Sequence, residues 1–195
     1  MKNDMEKWET KNGVEFLKKI GFKSGQTVLD FGCRVGHYTI PAATVVGHEG
    51  IVYAVDKEQQ VLDELQQKAV HLNLKNIRTI NTSGQRQTGL EDDSIDVVLF
   101  YDVLHYHKKE EREKLYTEAY RVLKQNGLLS VYPKHTLEDD PIMEFLNLTV
   151  EKIKQEIQNS NFVFEKKHCG FISHDDGLNQ GCVLNFRKIN PVFEI

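Results

Sequence analysis

The chain has 195 residues, with 25 Lys plus Arg against 29 Asp plus Glu and a formal net charge of -4. That length holds one domain with a sizeable core, and we expect a single domain over residues 1–195. The near balance of charge gives no electrostatic reason to expect nucleic acid or an anionic membrane as partner, so a small soluble target is expected.

No stretch approaches the about 18 consecutive apolar residues of a membrane span, and the opening MKNDMEKWETKNG lacks the apolar run of a secretory leader. A cytoplasmic protein is the expectation. Cys33, Cys169 and Cys182 make neither a paired framework nor a C-x-x-C, which predicts free thiols and no disulfide.

In chain order, residues 5–20 place Val14, Leu17 and Ile20 at helical spacing and stop at Gly21, so residues 1–24 read as an N-terminal helical cap. Residues 26–31 form a short buried strand, and a helix follows from about His37, with Pro41 tolerated near its first turn. Residues 51–55 are a second strand ending at Asp56, which completes a βαβ unit. Residues 59–72 align Val61, Leu62, Leu65 and Ala69 on one helical face, and residues 77–80 are a third strand.

Residues 95–100 are the most plainly buried strand. The helix over 110–123 turns Leu115, Ala119 and Val122 inward, and Gly127 of KQNG supplies a left-handed residue before the fifth strand, LLSVY. The run 108–114 reads as an exposed charged helical face. Residues 141–159 are helical in two pieces, with Thr149 capping the second. Residues 162–167 and 183–187 are final strands joined by a loop over 169–181. The fold class is therefore α/β, a doubly wound, mostly parallel sheet with an antiparallel element at its end and helices on both faces.

Ligands of such sheets bind beyond the carboxyl ends of the strands. That rule selects residues 30–36, Asp56, 81–84 and 101–107. Asp56 lies 20 residues beyond Gly36, where a strand-end carboxylate accepts hydrogen bonds from ribose hydroxyls. Two glycines, Gly32 and Gly36, suggest that the backbone closely approaches a nucleotide-bearing cofactor. A G-x-G-x-x-G cradle is absent because Arg34 and His37 stand at its second and third glycine positions, and no P-loop occurs. A nucleoside cofactor without a pyrophosphate fits better.

The segments VLDFGCRVGHYT, VYAVD, DSIDVVLFYDVLHYH, YRVLKQNGLLSVY and LTVEKIKQEIQNSNF together resemble the class I S-adenosylmethionine-dependent methyltransferases in order and interval. The resemblance implies a Rossmann-like seven-stranded sheet whose last strand is antiparallel. It implies S-adenosylmethionine as cofactor, with its methionine end over the first loop and its ribose on the second strand's acid. Asp30, Gly32, Gly36 and Asp56 match those positions, and Cys33, Lys57, Ser83, Gly84 and Tyr101 complete the expected cofactor set. Three positions depart from the family pattern: Arg34 replaces a glycine, residues 81–84 read Asn-Thr-Ser-Gly without the acid that meets the adenine, and Asn126-Gly127 replaces a glycine pair.

The implied activity is methyl transfer to a small-molecule acceptor, with S-adenosylhomocysteine as product. The alternatives are a cofactor-binding or regulatory module without turnover and a nicotinamide-dependent oxidoreductase. His105 and Tyr106, after the fourth strand, are the candidate catalytic residues, with a helix-start His and a packing Tyr as the structural alternative. His135 is either a pocket residue or a loop His. No His or Cys pair has zinc spacing with a matched second pair, so no metal site is assigned. The helix around Trp8 and residues 135–148 are expected to roof the acceptor pocket.

Overall fold

The structure, a computed structural model, describes residues 2–190. Its parallel core comprises β1 (Thr27–Phe31), β2 (Ile51–Asp56), β3 (Ile77–Asn81), β4 (Ile95–Tyr101) and β5 (Leu123–Tyr132). A hairpin of β6 (Phe162–His174) and β7 (Gly177–Lys188) completes a seven-stranded sheet in the order β3-β2-β1-β4-β5-β7-β6. β7 is antiparallel to both neighbours, so β6 again points the way of the core strands. Strand order reverses between β1 and β4, which places the ligand crevice at their carboxyl ends.

The central strands are near-continuous apolar runs because helices cover both faces. One face, carrying Val28, Val52, Val97 and Leu99, packs on α2 (Gly13–Lys19) and α3 (Thr39–Val46). Beside them α4 (Gln59–His71) sets Leu62 and Leu65 against Ile40 and Ala54. The opposite face, with Leu29, Val98, Phe100 and Leu129, packs on α5 (Lys109–Val122) and α6 (Val150–Gln158). Thr149 caps α6 through its hydroxyl, which accepts from the Lys152 N–H at 3.2 Å. No helix among the described residues is long and apolar enough to cross a membrane.

Several expectations are corrected. The opening helix is not continuous: α1 (Lys2–Lys7) passes into a π-helical turn over Trp8–Asn12 before α2. Gly13 permits this, since a Cβ there would meet the Trp8 carbonyl oxygen at 2.8 Å. Asn126, at φ 62°, takes the left-handed position inside β5, where the pairing with β4 skips from Leu123 to Leu128, and Gly127 is needed because a Cβ would meet the Lys124 carbonyl oxygen at 2.7 Å. Arg112 leaves the charged face expected of residues 108–114 and is buried.

The expected loop over 169–181 is β-hairpin. The stretch of β6 from Glu165 to Phe171 is exposed or half-buried and mostly polar, and so lacks the apolar alternation that marks a strand. Cys169 stands directly opposite Cys182 in that ladder, and the two form a disulfide, which overturns the expectation of free thiols at these positions. Cys33 is a free, buried thiol.

Candidate cofactor and acceptor site

A cleft of about 470 Å³ opens at the carboxyl ends of β1, β2 and β4, within the range of small-molecule sites. At the end of β1 the Gly32 and Cys33 N–H groups both donate to the Val55 carbonyl, at 2.8 and 3.0 Å, so the chain stays tied to β2 as it turns away. Gly32 has φ 78°, and a Cβ there would come within 2.8 Å of Val103. Gly36 has φ 89° and lies off the cleft wall; a Cβ would collide with Leu65. The second glycine is thus required by backbone conformation and by packing on α4.

Asp56 faces the cleft with both oxygens oriented: Oδ2 accepts the Arg34 N–H at 3.0 Å and Oδ1 the Glu58 N–H at 3.1 Å. A carboxylate offers about four acceptor sites, so capacity for two hydroxyls remains. Arg34 occupies its family glycine position at φ 46°. Its guanidinium reaches across the cleft mouth to Asp175 Oδ1 at 3.1 Å, joining the first loop to the hairpin tip. Its side chain is 55 % exposed, so this pair contributes little to stability.

Asp30 is buried and its Oδ2 accepts from the Thr39 hydroxyl at 2.6 Å. Burial pushes its carboxyl up to about 6; the Thr39 hydrogen bond opposes this and the Asp56 charge adds to it. The unfolded carboxyl loses its proton near its ordinary value of 3.8. Between these values folding takes up a proton and stability falls as pH rises, and above about 6 the whole cost persists. Asp30→Asn, which still accepts from Thr39, is therefore expected to stabilise the ligand-free chain at pH 8 by up to about 3 kcal/mol, and not at pH 4. Urea unfolding at both pH values checks this; equal gains at both would contradict it.

Lys57, Gly84 and Tyr101 also line the cleft. Ser83 does not: its N–H donates to Asn81 Oδ1 at 2.8 Å, and Thr82, Gln85 and Arg86 form that wall instead. Cys33 lines it with a thiol that burial pushes well above its usual value, packed among Ile40, Ala54 and Leu65, so it serves as a small apolar residue. Tyr101 sits edge-on to Tyr38 at 4.5 Å and shares a 2.7 Å hydrogen bond with Ser130. Ser130 donates to Asn185 Oδ1, and Asn185 Nδ2 to the Ile20 carbonyl, each at 2.8 Å. This buried relay ties the cleft floor to β7 and to the end of α2.

The two candidate catalytic residues are placed differently. Tyr106 is on the cleft wall and exposed, whereas His105 is 1 % exposed and lies outside the lining. Burial pushes the His105 imidazole down to about 4, and it packs against Tyr106, His135 and Phe145.

Neither segment expected to form the roof contributes a lining residue; Trp8 instead backs the wall, donating its indole N–H to the His37 carbonyl at 2.8 Å. The far wall belongs to Ser173, His174 and Asp175 at the hairpin tip, together with Asp102. Asp102 fell within the strand-end window, but the hairpin residues carry no local signal, because their position depends on strand order.

This architecture and crevice define a methyltransferase domain. A family model of that description, "Methyltransferase domain", matches residues 28–127, half of the chain, and the chain belongs to that family. Among relatives, it is 31 % identical over 124 residues to a demethylmenaquinone methyltransferase of Lactobacillus johnsonii, covering 63 % of this chain and 50 % of that protein. It is 30 % identical over 95 residues to an aklanonic acid methyltransferase of Streptomyces, covering 45 % and 43 % respectively. The chain spans about half the length of the curated relatives it matches. A crystal structure described as a SAM-dependent methyltransferase from Aquifex aeolicus shares the fold, with a TM-score of 0.74, 20 % identity, and coverage of 94 % of this chain and 93 % of that one.

Proposed function

We propose that this chain transfers a methyl group from S-adenosylmethionine to a small-molecule acceptor and releases S-adenosylhomocysteine. The observation that carries the reading is the Asp56 carboxylate, held toward the cleft by two backbone N–H groups in a chain of the methyltransferase family. The names of two relatives point to small-molecule acceptors, demethylmenaquinone and aklanonic acid. The net charge of -4 offers no footprint for nucleic acid.

The residues fit the cofactor. Asp56 would accept the ribose hydroxyls, the turn at Gly32 and Cys33 would follow the methionine end, and Lys57 and Gly84 would border the nucleoside. Bound there, S-adenosylmethionine would supply an activated methyl carbon to the acceptor's lone pair, with its sulfur as the leaving group. The protein's part is to align the reactants and exclude water. Tyr101 and Tyr38 close the floor with apolar ring faces. The Arg34–Asp175 pair spans the mouth. Tyr106, whose exposed phenol is protonated at neutral pH like any tyrosine, stands on the cleft wall where it can donate a hydrogen bond to the acceptor.

Isothermal titration with S-adenosylhomocysteine, with NAD as control, tests the cofactor assignment, and incubation with methyl-labelled donor and a panel of small hydroxyl, amine and thiol compounds tests turnover. Saturable binding of the homocysteine compound alone, followed by label transfer, is expected. Failure of that compound to bind would overturn the proposal.

A further inference from the structure

Beside the cleft, three strand ends bring Asp102, His135 and His174 together so that one donor atom from each lies within 4.8 Å of the others. Asp102 follows β4, His135 follows β5, and His174 ends β6. We propose that these residues bind a divalent transition-metal ion of the zinc class, with His105 adjacent to the same ion.

Four observations carry this. First, Asp102 Oδ1 is buried with no hydrogen-bond partner, and the atoms facing it are His105 Nδ1 at 3.6 Å and His135 Nε2 at 3.9 Å. Ligands about 2.1 Å from a tetrahedral zinc ion stand about 3.4 Å apart, so the His135 to Asp102 separation needs about half an ångström of closure, within a set whose donor atoms all lie inside 4.8 Å. Second, both ring nitrogens of His105 are buried and unpartnered in a side chain 2 % exposed. An imidazole always carries a lone pair or a proton on each nitrogen, and leaving such groups dry and unpaired costs about 1–3 kcal/mol apiece.

Third, His135 Nδ1 lies 2.9 Å from the Asp140 carbonyl oxygen, which can only accept. That contact places the proton on Nδ1 and leaves the Nε2 lone pair facing Asp102, the outer arrangement that metal-ligating histidines use. Fourth, His174 Nδ1 is 2.5 Å from Asp102 Oδ2, a direct hydrogen bond that already rests this imidazole on the anchoring carboxylate and that an ion would replace as the two atoms part to about 3.4 Å. Two imidazoles and one carboxylate suit zinc and its transition-metal neighbours, whereas magnesium and calcium take oxygen shells.

Asp102 and His174 also line the cleft, so the open coordination position of a three-ligand site faces it. Resting on the methyl-transfer reading, this deepens the acceptor class: a compound presenting a hydroxyl or enol oxygen as the fourth ligand, whose acidity ligation raises. The metal site itself stands on the side-chain geometry alone.

The test uses the whole chain stripped with chelator, then titrated with zinc by calorimetry and with cobalt(II) by visible absorption. One equivalent of each is expected to bind, with cobalt giving the intense d–d bands of a low-coordinate site. His174→Gln and Asp102→Asn are expected to weaken zinc binding at least 10-fold, while exposed His48→Gln leaves it unchanged. Circular dichroism identifies any variant that fails to fold, and the other variant is then read. Absence of saturable binding by the parent chain, or equal binding by both folded variants, would overturn the site. S-adenosylhomocysteine titration of the stripped protein reports separately on the methyl-transfer reading.

Discussion

Replacing Asp56 with Asn is expected to weaken S-adenosylhomocysteine binding by about 10- to 100-fold with little loss of fold. The carboxylate receives the Arg34 and Glu58 N–H groups on different oxygens, an arrangement only an ionised acid can satisfy. An Asn side chain offers one acceptor and turns its NH₂ toward the second backbone donor, so the loop and the ligand then compete for a single oxygen. Hydrogen bonds to charged groups contribute about 1.5–3 kcal/mol, and each 1.4 kcal/mol is a factor of ten in affinity. Because Asp56 lies at a strand end and is half-buried, β2 keeps its pairing with β1 and β3. Calorimetric titration of the variant decides the matter; an unchanged dissociation constant would remove Asp56 from the cofactor site.

Arg112→Ala is expected to cost about 3–5 kcal/mol of stability, which for a domain of this size lowers the melting temperature by roughly 10 °C. Arg112 is 2 % exposed and makes a two-pronged pair with Glu156, at 2.9 Å from Nε and 2.7 Å from Nη2. A third bond, at 2.7 Å, runs to the His107 carbonyl, and the guanidinium lies 5.4 Å over the Phe145 ring. Truncation leaves a buried carboxylate and a carbonyl without partners between α5 and α6. The cost lies in breaking the pair rather than in lacking it, so the double variant Arg112→Met with Glu156→Leu should recover most of the loss. Thermal unfolding of Arg112→Met, Glu156→Leu and the double completes the cycle; a double variant as unstable as the sum of those two singles would show that the ion pair adds nothing of its own.

Much of the frame was legible residue by residue. The apolar run ending at Tyr101, the Leu62 and Leu65 face of α4 and the Thr149 cap depend on neighbours within one or two turns, and each stands where local pattern places it. Gly32 and Gly36 were recognised as positions needing conformational freedom, but the atoms that demand it, from Val103 and Leu65, come from distant segments. Arg112 reads as one more surface charge in a run of charges; its burial depends on where α6 brings Glu156.

By itself, then, the sequence determined the alternation of strands and helices, the sheet class and the strand-tip position of Asp56, because hydrophobic period and turn chemistry are local properties. Only the tertiary structure decided the long hairpin, the Cys169–Cys182 disulfide, the shift of the far wall from residues 135–148 to the hairpin tip, and the meeting of Asp102, His135 and His174. The physical reason is strand order and direction. With β7 antiparallel beside β5, β6 must run with the core strands, and its end carries His174 and Asp175 back over the crevice from far along the chain.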